Sequence, residues 1–215
     1  MSGLHWETMT PAMREVMVVL GHSRFGQRFY LAGGTALALQ LGHRLSVDLD
    51  FFSPTEDIST ITSPLLGSLR SLSPTVADTA WGNLVLVAND VKVGFYGYGY
   101  NLLAPLVDAD GVRIASVIDI GLMKMDVLLA RASRKDFHDL YAICQRIPLQ
   151  SLLEQAPRKF PEVRDFEAQV VRHLAYFERA EQESDVPMLE TVPWQTVKAW
   201  FQEQAISLGR SWLGK

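Results

Sequence analysis

Residues 33–52 read GGTALALQLGHRLSVDLDFF: a glycine pair, one short apolar helix, and a strand carrying two aspartates one residue apart. In an extended chain, residues i and i+2 project to the same face. Asp48 and Asp50 therefore point together, while Leu49 and Phe51 point to the core. Adjacent carboxylates repel, and both remain ionised only with cations beside them. Magnesium, or manganese in its place, meets that need, since such hard cations take one or two carboxylates together with phosphate oxygens and water. Gly33 and Gly34 let the backbone approach a ligand closely, and a helix beginning near Thr35 aims free N–H groups at it, which makes an anion site. Phosphates at a helix terminus beside a metal on two aspartates form a nucleoside triphosphate site.

A lone D-x-D is usually a pair of edge carboxylates, and a lone G-G-T is usually a turn. Their order across one helix is what carries the functional reading. Phosphatases of the haloacid dehalogenase type also use D-x-D, but at the end of the first strand and with threonine two residues on. Here Phe52 stands at that place, and the G-G-T helix precedes the pair.

Elsewhere the chain alternates elements. Thr10 and Pro11 open a helix with Met13, Val16, Met17 and Leu20 on one face, ended by Gly21. RFYLAGG reads as a buried strand, Thr35–Leu41 as a helix closed by Gly42, and LSVDLDFFS as a strand. Residues 55–72 form a helix or broken helix capped by Asp57 or Ser59. NLVLVAND and VKVGFYGYG form a hairpin around Asn89-Asp90, and VRIASV adds a strand. Asp119 caps a helix from Ile120 to Ala132, and Ser133 with Asp136 resembles a capping box for the next helix. From Pro148 onward three more helices follow. The architecture is α+β, a small mixed sheet with flanking helices (1–115) followed by a helical region (116–215).

Across 215 residues, 48% are hydrophobic and 20% charged, and the net charge is −4, so no global basic field advertises nucleic acid. Cys144 is the single cysteine, which excludes an internal disulfide and fits a reducing cytoplasm. No apolar run is long enough for a membrane span, and no secretion signal is apparent. Lys124 and Arg131 share a helix face. Lys135 is set to pair with Asp139 at i+4, while Asp136 reads as a cap. Arg131, Arg134 and Lys135 can form a local positive patch of the kind that any polynucleotide contact would need. His138, His173 and Cys144 lack metal-ligand spacing and read as structural.

LAGGTALALQLGHRLSVDLDFF at 31–52 and DIGLMKMDVLLARASRKDFHDLY at 119–141, with VKVGFYGYGY between them, resemble the AbiEii/AbiGii nucleotidyltransferases. These are toxins of type IV toxin–antitoxin and phage-abortive systems, within the DNA polymerase β-like superfamily. The resemblance implies a nucleotidyltransferase-like fold. It also implies transfer of a nucleoside monophosphate from a triphosphate to an acceptor, RNA and specifically tRNA, and a cognate antitoxin. By that likeness Lys124 meets the triphosphate and Asp139 helps to assemble the site. Arg44 and Ser46, within a His-Arg-x-Ser stretch that also contains His43, lie with the nucleotide, as do Arg131 and Lys135. It further implies that the strand from Val91 lies beside the D-x-D strand. Many relatives carry a third carboxylate there, in Val-Lys-Val-Asp, where this chain has Gly94. Two alternatives stand beside the enzyme: a nucleotide-binding protein with weakened turnover, and transfer to a protein acceptor.

Overall fold

The computed structural model describes residues 3–213. The chain divides into two compact units, with the boundary between Ser116 and Val117.

The first unit is built on a seven-stranded mixed sheet. It begins with α1 (Pro11–Gly21), where the Thr10 hydroxyl accepts the Met13 N–H at 3.2 Å and Met13, Val16, Met17 and Leu20 are buried. The following elements are β1 (Tyr30–Ala32), α2 (Gly33–Leu41), β2 (Asp48–Ser53) and α3 (Ile58–Ser68). Next come β3 (Thr75–Asp78), β4 (Leu84–Ala88), β5 (Val91–Gly97), β6 (Val107–Ala109) and β7 (Val112–Ile114). The spatial order is β3-β4-β5-β2-β1-β7-β6. β2 runs parallel to β5 and β1 parallel to β7, and the remaining pairs are antiparallel. Asn89 and Asp90 both take positive φ, 49° and 59°, which suits a two-residue hairpin between β4 and β5. Leu49 and Phe51 are buried as the alternation requires, and the Phe51 ring stacks on Phe95 at 5.5 Å.

Several boundaries differ from the sequence reading. The sheet is larger than expected because β3 and β6 escaped notice. β3 is exposed along its whole length and β6 spans three residues, so neither has a core-facing period. α2 begins at Gly33 rather than Thr35, and Gly42 closes it at φ 68°. Asp57, not Ser59, caps α3: its carboxylate accepts the Ser59 N–H at 3.0 Å. Gly21 belongs to α1, whose cap is His22 in right-handed conformation.

The second unit is helical: α4 (Val117–Ala130), α5 (Arg134–Cys144), α6 (Leu149–Leu153), α7 (Ala156–Lys159), α8 (Phe166–His173), α9 (Glu178–Gln182) and α10 (Trp194–Leu213). Among the described residues five helices follow Pro148 instead of three, because turns split the apolar pattern. Asp119 does not precede α4 but lies in its first turn. It is fully buried, with Lys159 at 2.8 Å and equally buried. Phe137 anchors an aromatic core with Phe177, Trp194 and Phe201. Among the described residues no helix is long and apolar enough to cross a membrane.

Candidate functional site

β1, α2 and β2 form a strand–helix–strand unit that returns the chain antiparallel to itself, with Ala32 opposite Asp50 and Tyr30 opposite Phe52. The glycine pair therefore emerges beside the aspartates. Gly33 has φ 67°, a conformation that a side chain resists. A Cβ there would lie 3.0 Å from Asp50 Oδ2. No side chain caps the first turn of α2, and Gly33 and Gly34 are half-buried while the seven following positions except Gln40 are buried. The positive end of this helix is thus not enclosed by side chains.

Arg44 sharpens that end. Its side chain is buried and its Nη1 donates to Leu45 O at 2.9 Å, while Nη2 lies so close to Gly34 that a Cβ at residue 34 would overlap it. Glycine at 34 therefore leaves room for a guanidinium at the helix terminus. Thr35 and Ser46 are placed differently from nucleotide-facing groups. Both are buried, the Thr35 hydroxyl lies 2.7 Å from Ser46 Oγ, and it donates to Asp48 O. They tie α2 to the segment that enters β2.

Asp48 and Asp50 are half-buried on one face of β2. Across the parallel pairing, Lys92 stands beside Asp48, Gly94 beside Asp50, and Tyr96 beside Phe52. The strand that the resemblance puts next to the aspartates is indeed next to them, and Gly94 is the residue opposite Asp50. That place is not vacant, because a Cβ on Gly94 would overlap the ring and hydroxyl of Tyr96, which folds back over it. Lys92 and Tyr96 thus join the expected residues beside the aspartates. The alternation of VKVGFYG was the available signal, since it sets both on the Gly94 face.

Among the described residues no group of three or more His, Cys, Asp or Glu is arranged to hold a metal. The two aspartates are nonetheless a donor set that fits magnesium, which binds through one or two carboxylates and completes its sphere with phosphate and water.

The second sequence cluster forms within the helical unit. Lys124 Nζ lies 2.9 Å from Asp136 Oδ1 and 2.5 Å from Asp139 Oδ2. Arg131 Nε donates to Asp136 Oδ2 at 2.9 Å, and Ser133 Oγ donates to the same carboxylate. Both aspartates are fully buried. Burial pushes the Asp136 carboxyl up, but Lys124, Arg131 and Ser133 outweigh it and hold the group well below the usual carboxylate range. Asp136 is thus the hub of a buried ion cluster rather than only a cap. Asp139 pairs with Lys124 rather than with Lys135, which is exposed. The expected capping box is not formed, because the Ser133 side chain bonds a carboxylate instead of a backbone N–H. Of the expected basic patch, Arg131 is bound to Asp136 and Arg134 to Asp185 at 2.6 Å. His138 packs against Trp194, and burial pushes the Cys144 thiol up to about 12, so it is no nucleophile near neutrality.

Residues 15–80 match the AbiEii family, the nucleotidyl transferase toxins of type IV toxin–antitoxin systems. The uncharacterised protein aq_aa25 of Aquifex aeolicus strain VF5 is 34% identical over 187 residues, covering 82% of this chain and 85% of that one. Among solved structures, a candidate nucleotidyltransferase from H. pylori matches with TM-score 0.58 at 18% identity, over 93% of this chain and 92% of that one. MenT4, a nucleotidyltransferase toxin from Mycobacterium tuberculosis H37Rv, matches with TM-score 0.56 at 18% identity, over 90% and 81%. The likeness to both structures is one of fold.

Proposed function

Because the chain belongs to the AbiEii family of nucleotidyltransferase toxins, we propose that it transfers a nucleoside monophosphate from a triphosphate to an RNA hydroxyl. In this reading tRNA is the acceptor, a divalent metal is required, the setting is cytoplasmic, and a cognate antitoxin restrains the activity. The observation that carries the reading is the adjacency of an uncapped helix terminus, the Arg44 guanidinium and the Asp48–Asp50 pair.

The acceptor oxygen forms a bond to the α-phosphorus while the bond to the β-phosphate oxygen breaks, so pyrophosphate leaves and the hydroxyl proton passes to water. Asp48 and Asp50 would hold magnesium, which when bound supplies charge neutralisation for the phosphates and the leaving group. The N-terminus of α2, Arg44 and Lys92 bring further positive charge to the phosphates, fixed before the reaction begins. Lys124, Arg131, Lys135 and Asp139 enter this reading through the resemblance alone. We assign the Lys124–Asp136–Asp139 cluster the role of joining α4 to α5. A single observation favours a slower enzyme as the second reading: Tyr96 occupies the place of a third carboxylate beside Asp50.

The test is incubation with magnesium, each labelled triphosphate, total RNA and lysate. Label on RNA supports the proposal, label on protein moves the acceptor, and triphosphate binding without transfer selects the second reading. Two substitutions probe the parts. Gly34→Ala should raise helix propensity by roughly 1 kcal/mol yet displace Arg44. Removing one charge-assisted contact costs about 1.5–3 kcal/mol, so triphosphate affinity should drop about ten- to a hundred-fold. Unchanged affinity in calorimetric titration would remove Arg44 from the site. Gly94→Asp alone should lower stability by about 1–3 kcal/mol, because it collides with Tyr96. Combined with Tyr96→Ala it should recover stability and bind magnesium more tightly. A double variant with unaltered magnesium affinity would exclude residue 94 as a ligand position.

A further inference from the structure

The sheet face that carries the aspartates has a direction. At the Asp48 end lie Lys92, the glycine pair and Arg44. Asp50 and Gly94 lie in the middle, and beyond them the face is aromatic. Phe52 stacks on Tyr96 at 5.1 Å and on Tyr30 at 6.1 Å. Tyr98 meets Phe52 edge-on at 5.6 Å, and Tyr100 meets Tyr98 at 5.1 Å. The Tyr98 N–H donates to Ser53 O at 2.8 Å, which continues the β2–β5 ladder and keeps Tyr98 on the Phe52 side. Phe52, Tyr96, Tyr98 and Tyr100 are all half-buried, and the Tyr98 hydroxyl is itself buried.

The sequence producing this run is YGYGY at 96–100, with Gly97 and Gly99 exposed between the tyrosines. Alternating glycines supply no side chain to the opposite face, so this segment contributes little besides its tyrosines. An ordinary core face in a strand is made of Val, Ile or Leu. A row of half-buried aromatic side chains is instead the composition that stacks unpaired bases.

We infer that Phe52, Tyr96, Tyr98 and Tyr100 form the acceptor subsite, a platform on which unpaired nucleobases at the end of an RNA strand stack. The inference rests on the proposed nucleotidyl transfer and adds which way the acceptor lies. In-line displacement puts the attacking oxygen opposite the leaving pyrophosphate. The phosphate-binding groups stand at the Asp48 end, so the acceptor approaches from the Phe52 end, where the rings are. Stacking tolerates any base, because every base presents a π-face, so it needs no base-specific hydrogen bond.

The experiment uses the full chain and a short single-stranded RNA with 2-aminopurine at its 3′ end, a base whose fluorescence is quenched by stacking. Tyr98→Ala and Tyr100→Ala should each weaken binding of this RNA about 5- to 150-fold and abolish the quenching. Tyr98→Trp and Tyr100→Trp should restore both, which a merely structural role would not do. A fully paired RNA duplex should bind no more weakly to the alanine variants than to the parent. Magnesium–triphosphate binding, measured separately, reports on the catalytic reading. Its absence in the parent sinks nucleotidyl transfer, while RNA quenching still tests the platform. Parent-like RNA affinity and quenching in both alanine variants would overturn the platform, as would acceptor label found on protein alone. Should Tyr98→Ala fail to fold, Tyr100→Ala at the end of the row decides the matter.

Discussion

Asp48→Asn and Asp50→Asn should each abolish detectable transfer and lower metal-dependent triphosphate affinity by at least about a hundred-fold, a loss beyond the 10–100-fold typical of second-sphere changes. The substitution keeps the shape of each side chain and removes its charge, so the sheet should survive. Leu49 and Phe51 provide the packing of β2 through the opposite face, and neither is touched. Melting temperature should therefore stay near that of the parent. Calorimetric titration with magnesium and triphosphate checks the affinity, and a thermal melt checks the fold. A double Asn variant that still binds triphosphate in a magnesium-dependent way would show that the aspartate pair is not the metal site.

Lys124→Ala is expected to act on stability first. The ammonium sits between two fully buried carboxylates, and removing it strands their charge. Breaking one side of a buried ion pair costs about 3–5 kcal/mol. For a chain of this size that corresponds to a fall in Tm of roughly 6–20 °C. Acid should erode the parent's advantage in a definite direction. The Asp136 carboxyl is depressed in the folded protein, so its contribution is fully present above its unfolded value of about 3.9 and is lost as pH falls below it. The gap between parent and variant should therefore be widest near neutrality and narrow in acid. A variant with parent-like Tm that has lost triphosphate affinity would reverse the assignment and give Lys124 the phosphate-binding role implied by the resemblance.

The sequence by itself determined those features that depend on neighbours along the chain. Thr10 and Pro11 announce α1, Asn89-Asp90 announces the β4–β5 turn, and Gly42 closes α2, because caps and turns are local backbone chemistry. The common face of Asp48 and Asp50 follows from the period of a strand, and their nearness to Gly33-Gly34 from the brevity of the intervening helix. Short, exposed or interrupted elements carry no such period, which is why β3, β6 and the splitting of the C-terminal helices were not legible.

Only the tertiary structure decided which side chain occupies each place near the aspartates. Tyr96 lies over Gly94, the Arg44 guanidinium lies against Gly34, and Thr35 and Ser46 turn inward to bond one another. Nothing in a spacing distinguishes a glycine that awaits a ligand from one that makes room for a ring, since both present the same missing Cβ. Asp139 illustrates the same limit: i+4 spacing offered it Lys135, and burial gave it Lys124. A buried carboxylate takes the cation that can be buried with it, whereas a surface lysine remains hydrated, and that competition is settled by packing between helices.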